Sequence, residues 1–267
     1  MSKLLQLLIG QIKALNSQSN IIVVGIDGPT AAGKTILANS LGEQIKNQLD
    51  INVEYFRLDW TLLPRDERQK DLEHLMRSKY DFALEGELHM NLDLFLEFLK
   101  KIHAFKNKPI SDEVFKKFLI QGLYSRDNNG KCNGSYEYDF TKKTVLICEG
   151  HYTSRTDFFS YIDLNICLLC DKNELLKRKL ERVKSYRSSK DATDYFWKID
   201  VPSFSYHLRR FNNSIDLFID NTDYKNPRLS SINEFRNWLN TSNISHPNSI
   251  QFNDEKEINF DLIFNNI

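Results

Sequence analysis

The sequence has no uninterrupted apolar run approaching the roughly 18 residues that a membrane-spanning helix needs, so no membrane partner is expected. It also has no net charge, because 36 Lys and Arg balance 36 Asp and Glu. No global field then draws the chain to nucleic acid or an anionic bilayer, and any anion site has to be local. The absence of a basic stripe argues against a nucleic-acid partner. Cysteine patterns are incomplete: of Cys132, Cys148, Cys167 and Cys170, the last two form one Cys-x-x-Cys, with no second pair to complete a zinc site. All four read as free thiols, Cys148 and Cys167 sit in expected buried strands, and the chain reads as cytoplasmic. No Asn-Lys-x-Asp is present, which excludes a guanine site of the GTPase type, and no internal repeat is found. Residues 1–20 carry Leu4, Leu5, Leu8, Ile9 and Ile12, interrupted by Gln6, Gln11 and Lys13 and followed by no small-residue cleavage site. They read as an amphipathic helix packed on the domain rather than a signal peptide.

What is present is concentrated in Gly28-Pro29-Thr30-Ala31-Ala32-Gly33-Lys34-Thr35. This stretch fits G-x-x-x-x-G-K-[ST], the phosphate-binding loop. Ile21, Ile22, Val23, Val24 and Ile26 enter it as the continuous apolar segment of a strand buried on both faces. Ile36, Leu37, Leu41 and Ile45 leave it towards a helix. Gly28 and Gly33 allow successive backbone N–H groups to turn inward onto a polyphosphate. The helix start near Lys34 adds its positive end. Lys34 supplies charge for the β- and γ-phosphate oxygens, and the Thr35 hydroxyl is a ligand for Mg²⁺. Residues 28–35 are therefore the expected nucleotide-binding set.

The remaining chain alternates strand and helix patterns, which defines an α/β class. A second strand over 52–58 ends on Asp59-Trp60. Ligands of parallel sheets bind beyond the carboxyl ends of the strands. There Asp59 can take a proton from an acceptor hydroxyl or hold the metal through water; a loop or helix-capping aspartate is the plain alternative. Residues 64–79 read as a charged helix in which Arg65, Asp66, Glu67, Arg68 and Lys70 form a solvated face, with Arg65 or Arg68 reaching a substrate as the alternative. Residues 92–102 read as a strong helix, and 112–120 as a short helix or an irregular extended piece.

Residues 144–148 form a buried strand ending on Glu149-Gly150, and a carboxylate there suits Mg²⁺ or its waters. His151 is either a neutral imidazole packed on the sheet end or a substrate contact. After a third buried strand over 163–170, a helix opens with Asp171 or Asn173 as cap and carries Lys177, Arg178, Lys179, Arg182, Lys184 and Arg187. Arg178 and Arg182 share a helix face, suited to clamping phosphates, with a lid beyond. A solvated face partnered by Glu174 and Glu181 is the alternative. Residues 185–192 read as a polar mobile stretch, 195–211 as an aromatic-rich helix irregular at Pro202, 214–221 as the last core strand and 232–239 as a helix. The expected organisation is an N-terminal helix (1–20), a core (21–224) with an insertion over about 60–140 and a lid over about 178–200, and a C-terminal extension (225–267).

The run from Gly25 to Thr35, then Leu58-Asp59, then Leu146-Ile147-Cys148-Glu149-Gly150, then Asp171 followed by Arg178, Arg182 and Arg187 resembles the uridine kinase and phosphoribulokinase superfamily over about 21–223. The resemblance implies a P-loop NTPase-type three-layer sandwich, with a mostly parallel sheet flanked by helices and a helical lid. It implies an ATP- and Mg²⁺-dependent phosphotransferase whose partner is a small-molecule hydroxyl acceptor, a nucleoside if the chain is uridine kinase-like. In that scheme Asp59 is the base, and Thr35 and Glu149 attend the metal, with Asp59 beside them. Lys34, Arg178 and Arg182 serve the transfer, and Arg187 joins the nucleotide contacts. Three segments depart from uridine kinases. Asp59-Trp60-Thr61-Leu62 replaces Asp-x-Phe-Tyr, His89-Met90-Asn91-Leu92-Asp93 stands where His-Pro-Asp is usual, and Leu123-Tyr124-Ser125-Arg126 replaces Tyr-Asp-Phe. A sugar phosphate, a pantothenate-like compound or an antibiotic hydroxyl therefore stays open as acceptor. So do a regulatory P-loop protein with little turnover and a homo-oligomer.

Overall fold

The structure, a computed structural model, describes residues 2–16, 19–68, 89–106, 117–125 and 129–240. The expectations for 69–88 and 241–267 lie outside the described residues. In chain order the strands are β1 (Ile21–Asp27), β2 (Asn52–Arg57), β3 (Lys117–Ser125), β4 (Lys131–Asp139), β5 (Thr144–Glu149), β6 (Leu164–Leu169), β7 (Leu217–Asp220) and β8 (Arg228–Leu229). The helices are α1 (Ser2–Asn16), α2 (Lys34–Leu49), α3 (Leu92–Phe105), α4 (Thr156–Phe159), α5 (Lys172–Val183), α6 (Ser189–Tyr195), α7 (Val201–Phe211) and α8 (Ile232–Asn240).

One sheet has the order β2-β5-β1-β6-β7-β8, parallel throughout except for β8. β1, β5 and β6 are buried at every position, which is why they read as unbroken apolar runs. Successive side chains still go to opposite faces. Ile22, Val24 and Ile26 of β1 join Val145 and Ile147 of β5 in one core, with α1, α2, α7 and α8 over it. Ile21 and Val23 join Leu146 and Cys148 in the other, beneath α3. This is a three-layer P-loop NTPase-type sandwich, as the sequence led one to expect. No helix among the described residues is long and apolar enough to cross a membrane.

Four segments refine the sequence reading. Of the stretch 112–120, residues 112–116 lie outside the described residues, and 117–120 are not a helix but open β3, which pairs antiparallel with β4 as a separate hairpin. That hairpin covers the α3 face through rings, with Tyr138 4.9 Å from Phe98 and Phe56 4.8 Å from Phe98. The stretch read as polar and mobile (185–192) runs into α6, capped by the Ser188 side chain accepting from the Asp191 N–H. A π-helical turn over Phe196–Asp200 then leads into α7, where Pro202 occupies the first turn, the position that tolerates proline. Beyond residue 224, β8 extends the sheet edge at β7, and Phe235 and Leu239 of α8 are buried in the core.

The α1 helix is part of the same packing, since Leu8 and Ile12 are fully enclosed. Replacing Leu8 with alanine removes buried methyls the surroundings cannot replace. Leu8→Ala is expected to lower the unfolding free energy by about 2–5 kcal/mol. Urea denaturation checks this, and an unchanged midpoint would mean that α1 is not integral to the core.

Candidate active site

Strand pairing builds the site. Parallel registration sets Ile26 beside Glu149 and Arg57 beside Glu149, so β1, β5 and β2 end level with one another. Their last residues and the turns that follow supply the charged groups. Asp27 closes β1, Glu149 closes β5, and Asp59 lies in the 3₁₀ turn Leu58–Thr61 directly after β2. Asp59 does not cap that turn, whose N-cap is Arg57, and its side chain lines a cavity.

The loop between β1 and α2 has the conformation its glycines permit. Gly33, the N-cap of α2, is left-handed at φ 96°, and a Cβ there would lie 2.6 Å from the Asn221 amide nitrogen. Ala31 is also left-handed, at φ 63°. The Asn221 amide donates to the Ala32 carbonyl at 2.7 Å and so ties the loop to the end of β7.

The Lys34 ammonium folds back over the loop and donates to the carbonyls of Gly28 (2.8 Å) and Pro29 (3.0 Å). Burial holds it below the ordinary lysine range, while Glu149, Asp59 and Asp27 pull the other way. Burial pushes the Glu149 carboxyl above the ordinary range, against the Lys34 charge and a hydrogen bond from the Thr35 hydroxyl at 2.9 Å. A desolvated carboxylate touching a hydroxyl at the loop's edge fits Mg²⁺, which uses few protein oxygens and keeps waters and phosphate oxygens. No cluster of three His, Cys, Asp or Glu able to hold a metal occurs among the described residues, and a site of this kind does not require one.

Asp27 was not singled out as a site residue from the sequence, and it organises the surroundings. It is fully buried and accepts from the N–H groups of Gly28 (2.7 Å), Tyr152 (3.2 Å) and Ser154 (3.0 Å). His207 of α7 lies 2.8 Å away through Nε2. Burial alone would raise this carboxyl, but His207 and the Ser154 hydrogen bonds outweigh it and hold Asp27 well below the usual carboxylate range. One carboxylate thus pins the phosphate loop, the β5–α4 loop and α7 together. It also holds Tyr152 at φ 75°, where a bulky residue is unusual. The sequence signal was an acid ending an otherwise apolar strand. The His207 partner, 180 residues away, left none.

Two cavities flank the loop. The larger, about 480 Å³, is lined by Thr30, Asp59, Arg65, Arg68, His89, Tyr124, His151, Lys179, Arg182, Arg187 and Asp200, among others. The smaller, about 340 Å³ and mostly apolar, is lined by Leu4, Ala31, Gly33, Ile36, Leu37, Leu168, Arg178, Ile219, Asn221, Tyr224 and Pro227, with Glu174. Arg178 and Arg182 therefore face different spaces, contrary to the expectation of one shared clamp. The Arg178 guanidinium is held by Glu174 (3.1 Å) and by the carbonyls of Asn221 (3.0 Å) and Thr222 (2.7 Å). Arg182 reaches the loop, donating to the Thr30 hydroxyl at 3.1 Å. Arg187 sits 5.2 Å over the ring of Tyr195, the last residue of α6. Lys179 pairs with Asp200 and so ties the π-helical turn to α5. His151 lines the larger cavity, and burial together with the Lys34 charge holds its imidazole well below the ordinary range, so it is neutral at pH 7. This is the neutral imidazole at the sheet end that the sequence allowed, placed at the wall of the cavity.

No family model matches the sequence, and no curated protein matches it significantly. Solved structures do resemble it, and what they establish is the fold, a P-loop NTPase-type α/β sandwich. D-glycerate 3-kinase from Cryptococcus neoformans superposes with a TM-score of 0.59 at 14% identity, covering 86% of this chain and 98% of its own. A candidate fructose transport system kinase from a Silicibacter species gives 0.58 at 17%, covering 77% and 92%. Phosphoribulokinase from Rhodobacter spheroides gives 0.51 at 12%, covering 75% and 70%.

The depressed Asp27 carboxyl fixes the sign of a pH effect. Its stabilising contribution is present above the unfolded-state value, near 3.8, and is lost as pH falls below that towards its folded value. Asp27→Asn is expected to destabilise the protein at pH 7. The gap from the parent should narrow between about pH 4 and pH 2. Urea midpoints of both proteins measured across that range test this, and a gap independent of pH would remove the charge from the explanation.

Proposed function

We propose that this chain is an ATP-dependent kinase that moves the γ-phosphoryl group of ATP to a hydroxyl of a small metabolite. The observation that carries the reading is the convergence on Lys34: a phosphate-loop ammonium sits in the field of three carboxylates, and one of them, Asp59, opens into a cavity shared with Thr30 of the loop. A protein that only binds nucleotide has no need of an acid facing a second cavity of metabolite size. The likeness in fold to glycerate 3-kinase and phosphoribulokinase supports the same reading.

The triphosphate would lie in the loop formed by residues 28–35, with Lys34 leaving the Gly28 and Pro29 carbonyls for phosphate oxygens. The base would occupy the smaller apolar cavity, between Ile36, Tyr224 and the Arg178 guanidinium. Thr35 and Glu149 would hold Mg²⁺, which supplies charge neutralisation at the β- and γ-phosphates. Asp59 orients the acceptor hydroxyl and takes its proton as the acceptor oxygen bonds to phosphorus. The bond from the γ-phosphorus to the bridging oxygen breaks, and ADP leaves. Arg182, bonded to the loop through Thr30, stabilises the charge on the transferred group. The lid segment with Arg187 excludes water. Among acceptors, the nucleoside suggested by the uridine kinase resemblance and other hydroxyl compounds share this chemistry.

Asp59→Asn is expected to keep affinity for a non-hydrolysable ATP analogue and to lose about 10²- to 10⁴-fold in transfer. Calorimetry reads the first and product formation the second. Full transfer at saturation would place the base elsewhere.

A further inference from the structure

The larger cavity holds more positive charge than a nucleoside acceptor would use. Of its cations, Lys179 is neutralised by Asp200, while Arg182 and Arg187 belong to the phosphate loop and lid. Arg65 and Arg68 remain, and they come from a different element, the helical turn after residue 64.

These two are not a random solvated face. Arg68 donates through Nε to the Leu63 carbonyl at 2.8 Å and through a terminal nitrogen to the Tyr124 hydroxyl at 2.9 Å. Its guanidinium carbon lies 4.9 Å from the Tyr124 ring centre. A guanidinium has five N–H donors. Two fix its plane, and among the described residues no partner takes the others, which suits a planar oxyanion. Arg65 is anchored by its backbone, its N–H donating to the Gly130 carbonyl of the β3–β4 turn at 3.1 Å. Its side chain is exposed. Three residues apart on one helical turn, the two arginines are neighbours whose like charges repel unless an anion lies between them. The hairpin supplies both supports, through Tyr124 and Gly130. Asp59, the proposed base, lines the same cavity.

We propose that the phosphoryl acceptor carries an oxyanion, a carboxylate or a phosphate, in addition to its reacting hydroxyl, and that Arg65 and Arg68 bind that group. This rests on the kinase reading above. A neutral nucleoside offers the pair no anion to bind. An acceptor with one anionic end is oriented by the arginines while its hydroxyl meets Asp59.

The test fills the phosphate loop first. Protein saturated with the magnesium complex of the non-hydrolysable analogue AMP-PNP is titrated calorimetrically with D-glycerate, glycerol 3-phosphate and ribose 5-phosphate. Glycerol, ribose and uridine serve as neutral counterparts. At least one anion is expected to bind, and more tightly than its neutral counterpart. Arg65→Glu, at an exposed side chain, and the double variant Arg65→Gln/Arg68→Gln should each weaken that binding by about tenfold or more. Affinity for AMP-PNP should stay unchanged in both. Binding of carboxylate but not phosphate, or the reverse, identifies the group. Equal binding of the neutral compounds, no binding of any anion, or unchanged affinity in Arg65→Glu overturns the proposal. Failure of AMP-PNP to bind overturns the kinase reading instead.

Discussion

An enclosed ammonium has to be matched by negative charge, and the end of this sheet is arranged around that requirement at Lys34. The match comes from three adjacent strands whose parallel register makes them end together. Asp27, Glu149 and Asp59 lie at, or just past, the ends of β1, β5 and β2, and each bears on the Lys34 charge. Their uses differ because their surroundings differ. Asp27 is fully buried and saturated with hydrogen bonds, so it is structural. Glu149 is desolvated and, among the described residues, meets a loop hydroxyl and an arginine at 3.9 Å, so it gains from a cation. Asp59 opens into a cavity, so it can meet a second substrate.

The same loop separates two spaces of opposite character. On one side the first turn of α2, β7 and α1 make an apolar recess fit for a flat base. On the other, the turn after β2, the hairpin and the segment around α6 make a polar chamber rich in arginine. α5 borders both. Arg178 and Arg182 are one turn apart, yet the carbonyls of Asn221 and Thr222 draw Arg178 to the apolar side, while Thr30 draws Arg182 towards the chamber. The division of labour on this helix is thus set by the loops beside it.

The phosphate loop and the three buried strands were legible in the sequence because each leaves a local signature, and the loop motif carries its own context. Glu149 and Asp59 were legible as acids ending apolar strands. The β3–β4 hairpin was not. Gly122, at φ 78°, interrupts β3 where the register shifts between Gln121 and Leu123, and Leu119 is exposed, so no clean alternation survives. The partners of Asp27 were hidden for another reason: a carboxylate reading three backbone N–H groups and a distant histidine depends on tertiary placement alone. Helical spacing correctly put Arg178 and Arg182 on one face of α5, but it carried no information about residues 221–222, which split that face.

The central claim is that one nucleotide spans the loop with its base in the apolar recess, leaving the arginine-lined chamber for the acceptor. A crystal structure with the magnesium complex of AMP-PNP tests it most directly. The account predicts the triphosphate on the N–H groups of residues 28–35, Lys34 turned from the Gly28 and Pro29 carbonyls onto phosphate oxygens, and the base against Ile36 and Tyr224. A base seated in the chamber beside Arg65 and Arg68, or a triphosphate away from the loop, would contradict it.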